Sequence, residues 1–317
     1  MAPVIRGDFR RSPLRRAVRW LFAPGDPRRL AALRIGLFGV LAARLATGRF
    51  LEVAGQPEAL YRPLSFMKLL DAMPPREVVL PILVIGVVAA VAAALGLLPR
   101  LAMSTAWLCG VFLNGMMTSR GKVVHNDVLL LLCIFPLLAS PAADAWSVRR
   151  KLRPEAGTSF GWPVRTAILV VVGAYFFAGL AKLINSGPEW FTSGNLRWVL
   201  YASSDSQRVP NALGLFIADR PPLARVMAAG SFFLELGFPL ALVNPWLRRL
   251  FVAGVVGLHV GIWLMMRLDY FAQIATVLIV MIDWPAALHR ARHDLPLEGW
   301  KSSSSSTTTT AASAGGR

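Results

Sequence analysis

The stretch Tyr175-Phe-Phe-Ala-Gly-Leu-Ala-Lys-Leu-Ile-Asn185 closes an apolar run that begins near Trp162. Its one charged residue is Lys182, which has alanine and glycine neighbours. A cation in the middle of a bilayer costs about 2.5–3.5 kcal/mol on insertion scales, so a membrane protein usually places one against protein or a wet cavity. The stretch therefore predicts a membrane-spanning helix that holds a lysine away from lipid.

The composition of the whole chain favours a helical membrane protein. Of the 317 residues, 55% are hydrophobic and 16% are charged, whereas a soluble domain carries about 25% charged residues. Apolar runs of about 20 residues recur, as membrane-spanning helices require, and the short alternating pattern of barrel strands is absent. We therefore predict an all-α, polytopic integral membrane bundle of about eight transmembrane helices.

The predicted spans divide the chain into three parts. Residues 1–28 form a basic cytoplasmic segment, either a surface helix on anionic lipid or a disordered tail. Residues 29–286 form the transmembrane domain, in which a polar segment, 186–223, separates the fifth and sixth spans. Residues 287–317 form a low-complexity cytoplasmic tail. The predicted spans are residues 30–48, 78–98, 101–118, 126–140, 162–185, 224–243, 250–266 and 270–284.

The basic residues predict the orientation of these spans. A net charge of +17 would indicate nucleic acid for a soluble chain, but here the positive-inside rule accounts for it. With both termini in the cytoplasm, that side holds 20 of the 34 Lys and Arg residues and the outer side holds 11. We therefore predict a multi-pass protein of a bacterial-type plasma membrane, with membrane lipids as partners and no nucleic acid.

Polar side chains from most of the spans fall in the outer half of the predicted bilayer or near its middle. Such residues tend to face the interior of a bundle and to mark a substrate path or a proton relay. We predict a site in which Lys182 and His125 are catalytic. The candidate substrate-binding residues are Asn126, Asp127, Glu235, His259 and Arg44.

Structural roles remain open as alternatives for most of these residues. Lys182 can extend its ammonium group to the interface and pack only its stem. Glu235 can pair with an arginine such as Arg44 and neutralise both. His259 can hydrogen-bond to a neighbouring helix, and Asp127 can cap the helix that follows it.

Lys182 also has a chemical interpretation. Removal from water disfavours the charged ammonium form of a lysine, and a neutral amine is a competent general base. Such a base would act on a lipophilic small molecule that partitions into the bilayer, and a histidine at the same depth would stabilise the resulting anion. The two cysteines, Cys109 and Cys133, lie in apolar segments, so we expect no metal.

The motif Tyr175-Phe-Phe-Ala-Gly-Leu-Ala-Lys-Leu183 resembles the segment around the catalytic lysine of vitamin K-dependent gamma-carboxylase. It also resembles the wider horizontally transferred transmembrane (HTTM) domain family, to which the membrane part of that enzyme belongs. The resemblance extends in order and spacing over roughly residues 28–286. The other matching pieces are His125-Asn-Asp127, Ser140-Pro-Ala-Ala-Asp144, Trp190, Leu258-His259 and Phe271.

The resemblance implies a particular chemistry. Lys182 would be the base that deprotonates vitamin K hydroquinone or another quinol, and the anion would react with oxygen to give a strong base. That base would remove a proton from a glutamate of a peptide substrate, which then takes up carbon dioxide. His125 would assist, although the family motif reads His-Ser-Tyr where this chain reads His-Asn-Asp.

The chain also departs from the animal carboxylase. Only the low-complexity residues 285–317 follow the last predicted span, so we do not expect the large lumenal region that binds the peptide substrate. The leading hypothesis is therefore a carboxylase-like membrane core that oxidises or epoxidises a quinol. The alternatives are a non-catalytic membrane factor for peptide or protein maturation or export, and a proton-coupled transporter of small solutes.

Overall fold

The computed structural model describes residues 13–121, 125–148 and 154–293, with side chains up to residue 290. Within these ranges the regular structure is helical, and the isolated bridge between Gly25 and Gly157 is the one β-type pairing. The predicted all-α class is confirmed. The helices are α1 Pro13–Leu21, α2 Pro27–Ala46, α3 Arg76–Leu95, α4 Pro99–Thr118, α5 Val128–Leu138, α6 Thr158–Ser186, α7 Glu189–Thr192, α8 Asn195–Asp205, α9 Ala212–Ala218, α10 Pro221–Leu236, α11 Pro245–Met266, α12 Phe271–Met281 and α13 Trp284–His293. Short 3-10 turns cover Arg49–Glu52, Glu58–Leu60, Ser65–Leu69 and Phe238–Leu242.

Side-chain caps fix where two of the long helices begin. The carboxylate of Asp26 accepts a hydrogen bond from the N–H of Arg28 at 2.8 Å, and Pro27 occupies the first turn of α2. The side chain of Asn244 accepts from the N–H of Leu247 at 2.9 Å at the start of α11. Both caps satisfy amide groups that a helix start leaves free, so these boundaries are local properties of the sequence.

Helix α2 lies at the centre of the bundle. It packs against α3, α4, α5, α6 and α12, and its inner face is fully enclosed. Because lipid tails are as apolar as the side chains, helices in a bilayer associate through close packing rather than through exclusion of water. The buried core residues of α2 are Leu30, Leu33, Leu37, Phe38, Leu41 and Leu45.

Ion pairs define the two ends of the bundle. At the Arg44 end, where α2 finishes, the guanidinium of Arg44 binds Asp127, just before α5, and Asp269, just before α12. At the Arg29 end, where α2 starts, Arg29 Nη1 lies 3.5 Å from Oδ2 of Asp283, between α12 and α13. Helix α6 also starts at the Arg29 end, because its first turns contact α1 and the chain just before α2. Helices α2 and α6 therefore run in the same direction, opposite to α5 and α12.

Five helices in the described residues are long and apolar enough to cross a membrane: α2 with the turn that follows it, α3, α4, α6 and α11. A sixth crossing results if α12 and α13 are taken together, although the pair is bent by 71°. The predicted fourth span corresponds to α5, which has 11 residues, and the predicted sixth span corresponds to α10 followed by a 3-10 turn. The predicted number of eight spans therefore stays a prediction.

The polar segment 186–223 is folded rather than extended. It contains α7, α8 and α9, which pack against α10 and α11 at the Arg44 end of the molecule. These helices have a small core of their own, separate from the main one. Its buried members are Leu200, Ile217, Ala218, Ala224 and Met265.

Candidate functional site

A cluster of charged groups, the Arg44 cluster, joins α2, α5 and the turn before α12. Arg44 Nε donates to Oδ1 of Asp127 at 2.7 Å, Nη2 donates to Oδ2 at 3.2 Å, and Nη1 donates to Oδ2 of Asp269 at 2.6 Å. Arg49 Nη1 also donates to Oδ2 of Asp269, at 3.2 Å. Asn126 Nδ2 donates to the backbone carbonyl of Asp269. Every member of the cluster thus has a protein partner.

This geometry corrects two of the structural alternatives. The predicted pairing of Arg44 with Glu235 is wrong, because Asp127 and Asp269 occupy the guanidinium instead. Asp127 stands at the N-cap position of α5, but its side chain makes no capping hydrogen bond. Its carboxylate is turned to Arg44, because a bidentate charge-assisted contact is stronger than a single bond to an amide.

Asp269 lies outside the membrane-spanning helices and titrates below the ordinary range. Burial raises the pKa of its carboxyl group. The N–H of Phe271 and the guanidinium groups of Arg44 and Arg49 together lower that pKa by more than burial raises it. The net pKa lies below the ordinary value of 3.8. Asp269 is therefore ionised throughout the neutral range and keeps the cluster charged.

A second set of polar side chains, the histidine network, follows directly from the turn that carries Asp269. The Oη atom of Tyr270 lies 3.4 Å from Nε2 of His125, and the Tyr270 ring centroid lies 5.0 Å from that of His259. Nε2 of His259 lies 2.9 Å from Oη of Tyr175 and 3.2 Å from Nε2 of Gln273. Four helices or helix starts therefore contribute to one connected network.

The amide of Gln273 favours one set of hydrogen-bond directions in the network. Gln273 Nε2 donates to Oη of Tyr175 at 3.1 Å, which leaves the tyrosine hydroxyl proton free to donate to Nε2 of His259. A neutral histidine that accepts at Nε2 carries its proton on Nδ1. Nδ1 of His259 is buried and has no partner among the described residues.

Lys182 forms an ion pair with Glu235. Nζ of Lys182 donates to Oε2 of Glu235, and the two side chains are 19% and 11% exposed. Nζ also lies 4.7 Å from the centre of the Trp190 ring, as in a cation–π contact. Lys182 is thus held against protein on two sides, and its ammonium does not simply extend to the interface.

Gly179 brings the two halves of that pair together. A Cβ atom at this position would lie 2.5 Å from the backbone N and 2.8 Å from Cα of Leu236, so only glycine lets the end of α10 approach α6 this closely. Glu235 precedes Leu236, and Lys182 follows Gly179 by less than one helical turn. The small residues of the opening motif thus serve to place a carboxylate beside the lysine.

The predicted site residues therefore fall into three groups, each joined by its own side-chain contacts. Arg44, Asn126 and Asp127 belong to the Arg44 cluster. His125 and His259 meet through Tyr270 in the histidine network. Lys182 and Glu235 form the ion pair, and His259 lies close enough to Lys182 and His125 to interact electrostatically with both. Lys182 and His125 share no hydrogen bond in the described part of the chain.

The family of the chain is decided by a match along most of its length. The family model of the HTTM domain matches residues 22–284. The chain belongs to the HTTM domain family. This HTTM protein is accordingly a multi-pass membrane protein, in agreement with the five long apolar helices in the described part of the chain. Comparisons with curated proteins and with solved structures give no match.

Tyr175 and Gln273 join the histidine network of this HTTM protein but were not among the predicted site residues. Three further residues of the site lie in turns and were also missed from the sequence. Asp269 and Tyr270 lie in the turn between α11 and α12, and Arg49 lies in the 3-10 turn after α2. A signal was present, because Asp269 is an acidic residue in a short connection at the level predicted for Arg44. A carboxylate in that place is a natural partner for an arginine that cannot remain unpaired in a bilayer.

An apolar cavity of about 560 Å³ lies near the Arg44 cluster of the HTTM protein, between α4 and α5. Its wall includes Val128, which directly follows Asp127, and the rings of Phe66, Trp107 and Phe135. Phe135 is 58% exposed, so this side of the cavity faces the surroundings of the bundle. A lipophilic molecule can reach such a cavity from the bilayer without crossing water.

Proposed function

We propose that this HTTM protein is a membrane enzyme that removes a proton from a lipophilic acid, such as a quinol, with Lys182 as the base and His125 assisting. The observation that supports this proposal is the direct hydrogen bond between Lys182 and Glu235 in a region largely removed from water. Strongly coupled titratable groups in such surroundings are candidates for proton transfer.

The ion pair gives the lysine a route to its reactive form. Transfer of one proton from the Lys182 ammonium to the Glu235 carboxylate leaves a neutral amine and a carboxylic acid, and it removes two charges from a poorly solvated region. The amine then accepts the proton of the substrate hydroxyl, which leaves an ammonium and a substrate anion. Trp190, whose ring lies 4.7 Å from Nζ, stabilises that ammonium.

His125 and its neighbours act on the negative charge of the product. The His125 side chain is exposed and near Oη of Tyr270, so both residues can donate a hydrogen bond to a new oxyanion. A quinol substrate would give two electrons to dioxygen, forming quinone and hydrogen peroxide, or four electrons, forming a quinone epoxide and water. Tyr270 is connected through His259 to Tyr175 on α6, the helix that carries Lys182.

The proposal is tested with purified protein in lipid nanodiscs. Reduced vitamin K, menaquinol and ubiquinol are supplied in air, and quinone and epoxide are measured by chromatography against protein-free nanodiscs. Lys182→Ala should lower turnover by roughly 10²–10⁴-fold, the usual contribution of a general base. Lys68→Ala is the matched control, because Lys68 is exposed in a 3-10 turn. Well-folded wild-type protein that turns over none of the three quinols would overturn the proposal.

A further inference from the structure

A cavity of about 700 Å³ lies at the Arg29 end of the bundle, at the opposite end from the Lys182 site. It is bounded by the first turns of α11, the last turn of α12 and the start of α13. The 71° bend between α12 and α13 turns α13 across the end of the bundle, so that Ala287 and Arg290 form one side of the cavity.

The cavity has an apolar wall and a cationic rim. Leu278, Val252 and Val256 belong to the wall, and the rim carries the guanidinium groups of Arg248, Arg249 and Arg290. The apolar side chains come from the middle turns of α11 and from α12, whereas two of the arginines stand in the first turn of α11. The lining therefore changes from charged to apolar along the axis of α11.

The one carboxylate that lines the cavity does not neutralise this rim. Asp283 is already engaged, because Oδ2 lies 3.5 Å from Nη1 of Arg29 and Oδ1 accepts from the N–H of Ala286 at 3.3 Å. Arg29 is a fourth arginine close to this end, and it interacts electrostatically with Arg248. The region thus has an excess of positive charge.

The rim arginines have N–H donors that remain available for a ligand. A guanidinium has five N–H donors. Toward the residues that the structure describes, Arg248 and Arg290 each use only Nε, for the carbonyls of Ala241 and Ala286 at 3.4 and 3.3 Å. Arg249 forms no hydrogen bond or ion pair with any residue that the structure describes. The positive end of the α11 dipole points the same way and also favours an anion.

Two tryptophans place this end at the depth of lipid headgroups. Trp246 in the first turn of α11 is 66% exposed, and Trp284 at the start of α13 is 39% exposed. Exposed tryptophans in a membrane protein concentrate at the interface between hydrocarbon and water. A cavity that carries arginines at this depth and apolar side chains below it matches an amphiphile with an anionic head.

We propose that this cavity binds an anionic phospholipid, with its phosphate on the Arg249 and Arg290 guanidinium groups and the upper part of an acyl chain against α11 and α12. Arginine recognises phosphate through paired N–H donors, and basic pockets between membrane helices are known to hold such headgroups. The proposal does not depend on the chemistry of Lys182.

The proposal is tested by the lipid that the purified protein retains. The protein is exchanged into nanodiscs of phosphatidylcholine with or without phosphatidylglycerol, and bound lipid is measured by native mass spectrometry after gentle release. The variant R249Q/R290Q should lose preference for phosphatidylglycerol by about fivefold for each arginine, roughly 25-fold in all. The matched control is R208Q/R225Q, which removes two exposed arginines of the polar segment and α10. Equal preference in the two variants would overturn the proposal.

A second variant separates a lipid from a free anion. Ala253 is exposed and lines the apolar wall, so Ala253→Trp fills the acyl-chain position and leaves the arginines in place. Retained phosphatidylglycerol should fall in this variant, and inorganic phosphate at millimolar concentration should not displace the lipid from the wild type. Displacement by phosphate would show that the site takes a small anion, and unchanged retention in Ala253→Trp would show that no acyl chain lies against this wall. Either result would overturn the lipid assignment.

Discussion

Arg44 holds Asp127 through two hydrogen bonds of 2.7 and 3.2 Å, although the two residues are 83 positions apart. Their side chains are 11% and 10% exposed, and the same guanidinium binds Asp269. One cation thus connects α2 with the starts of α5 and α12. Removing one partner of such a pair leaves an uncompensated charge in a poorly solvated place, which costs about 3–5 kcal/mol.

Arg44→Gln should therefore lower the melting temperature of the detergent-solubilised protein strongly, because Asp127 would lose its cation and Asp269 would keep only its contact with Arg49. Arg49→Gln is the control. Its side chain is 29% exposed and makes one 3.2 Å contact with Asp269, so its loss should cost less than about 1 kcal/mol. Fluorescence-detected gel filtration after heating measures both. Similar losses in the two variants would contradict the assignment of Arg44 as the central cation.

Gly179→Ala should destabilise the protein by about 1–3 kcal/mol, the usual cost of overpacking. The added Cβ would meet the backbone of Leu236 at 2.5 Å and push the end of α10 away from α6. Gly173→Ala in the same helix is the control, since its nearest atom lies 3.7 Å away and alanine is the better helix former. If Gly173→Ala is as damaging as Gly179→Ala, close approach is not what the motif glycine provides.

The ion pair of Lys182 and Glu235 should appear as a coupling energy in a double-mutant cycle. Lys182→Met or Glu235→Leu alone leaves one charge without its partner and should cost several kcal/mol, whereas the double variant should recover much of that loss. Unfolding of all four proteins in one detergent measures the coupling. Under the proposed function, turnover should stay absent in the double variant even when its stability is restored. Additive losses would mean that the two side chains do not depend on each other.

The stabilising contribution of Asp269 should disappear in acid. Because its folded-state pKa lies below the ordinary value of 3.8, its ionised form stabilises the protein above that value, and the contribution is lost as the pH falls through the folded-state pKa. The difference in melting temperature between wild type and Asp269→Asn should be constant from about pH 5 to 8 and shrink below about pH 4. A difference that instead persists at the lowest pH would show that the charge is not responsible.

The long spans could be predicted because the bilayer fixes the length of an apolar helix. The span predicted at 30–48 is observed as Pro27–Ala46, and that at 78–98 as Arg76–Leu95. The prediction was less good where apolar residues continue through a break in the helix. Residues 224–243 read as one span, yet α10 ends at Leu236 and a 3-10 turn follows. Hydropathy is insensitive to that break because both sides of it are equally apolar.

The depth of the site residues in the bilayer could be predicted from the sequence, but the pairs that they form could not. A position along a helix gives the depth of Arg44, whereas its rotation and the lateral order of helices decide which carboxylate it meets. For that reason Arg44 was named as a possible partner of Glu235, although Glu235 meets Lys182 and Arg44 meets Asp127. The contact of α6 with α10 depends on Gly179. A glycine in the sequence does not indicate which helix will pack against it.

The position of Tyr270 directly after Asp269 has a mechanical consequence. The backbone of Asp269 is fixed from one side by Asn126, and its carboxylate by Arg44 and Arg49, while the next side chain lies between His125 and His259. The turn therefore acts as a rigid coupler between the charged cluster and the two imidazoles. A ligand or substitution that shifts the cluster is therefore expected to move Tyr270 and, with it, the contacts to both rings.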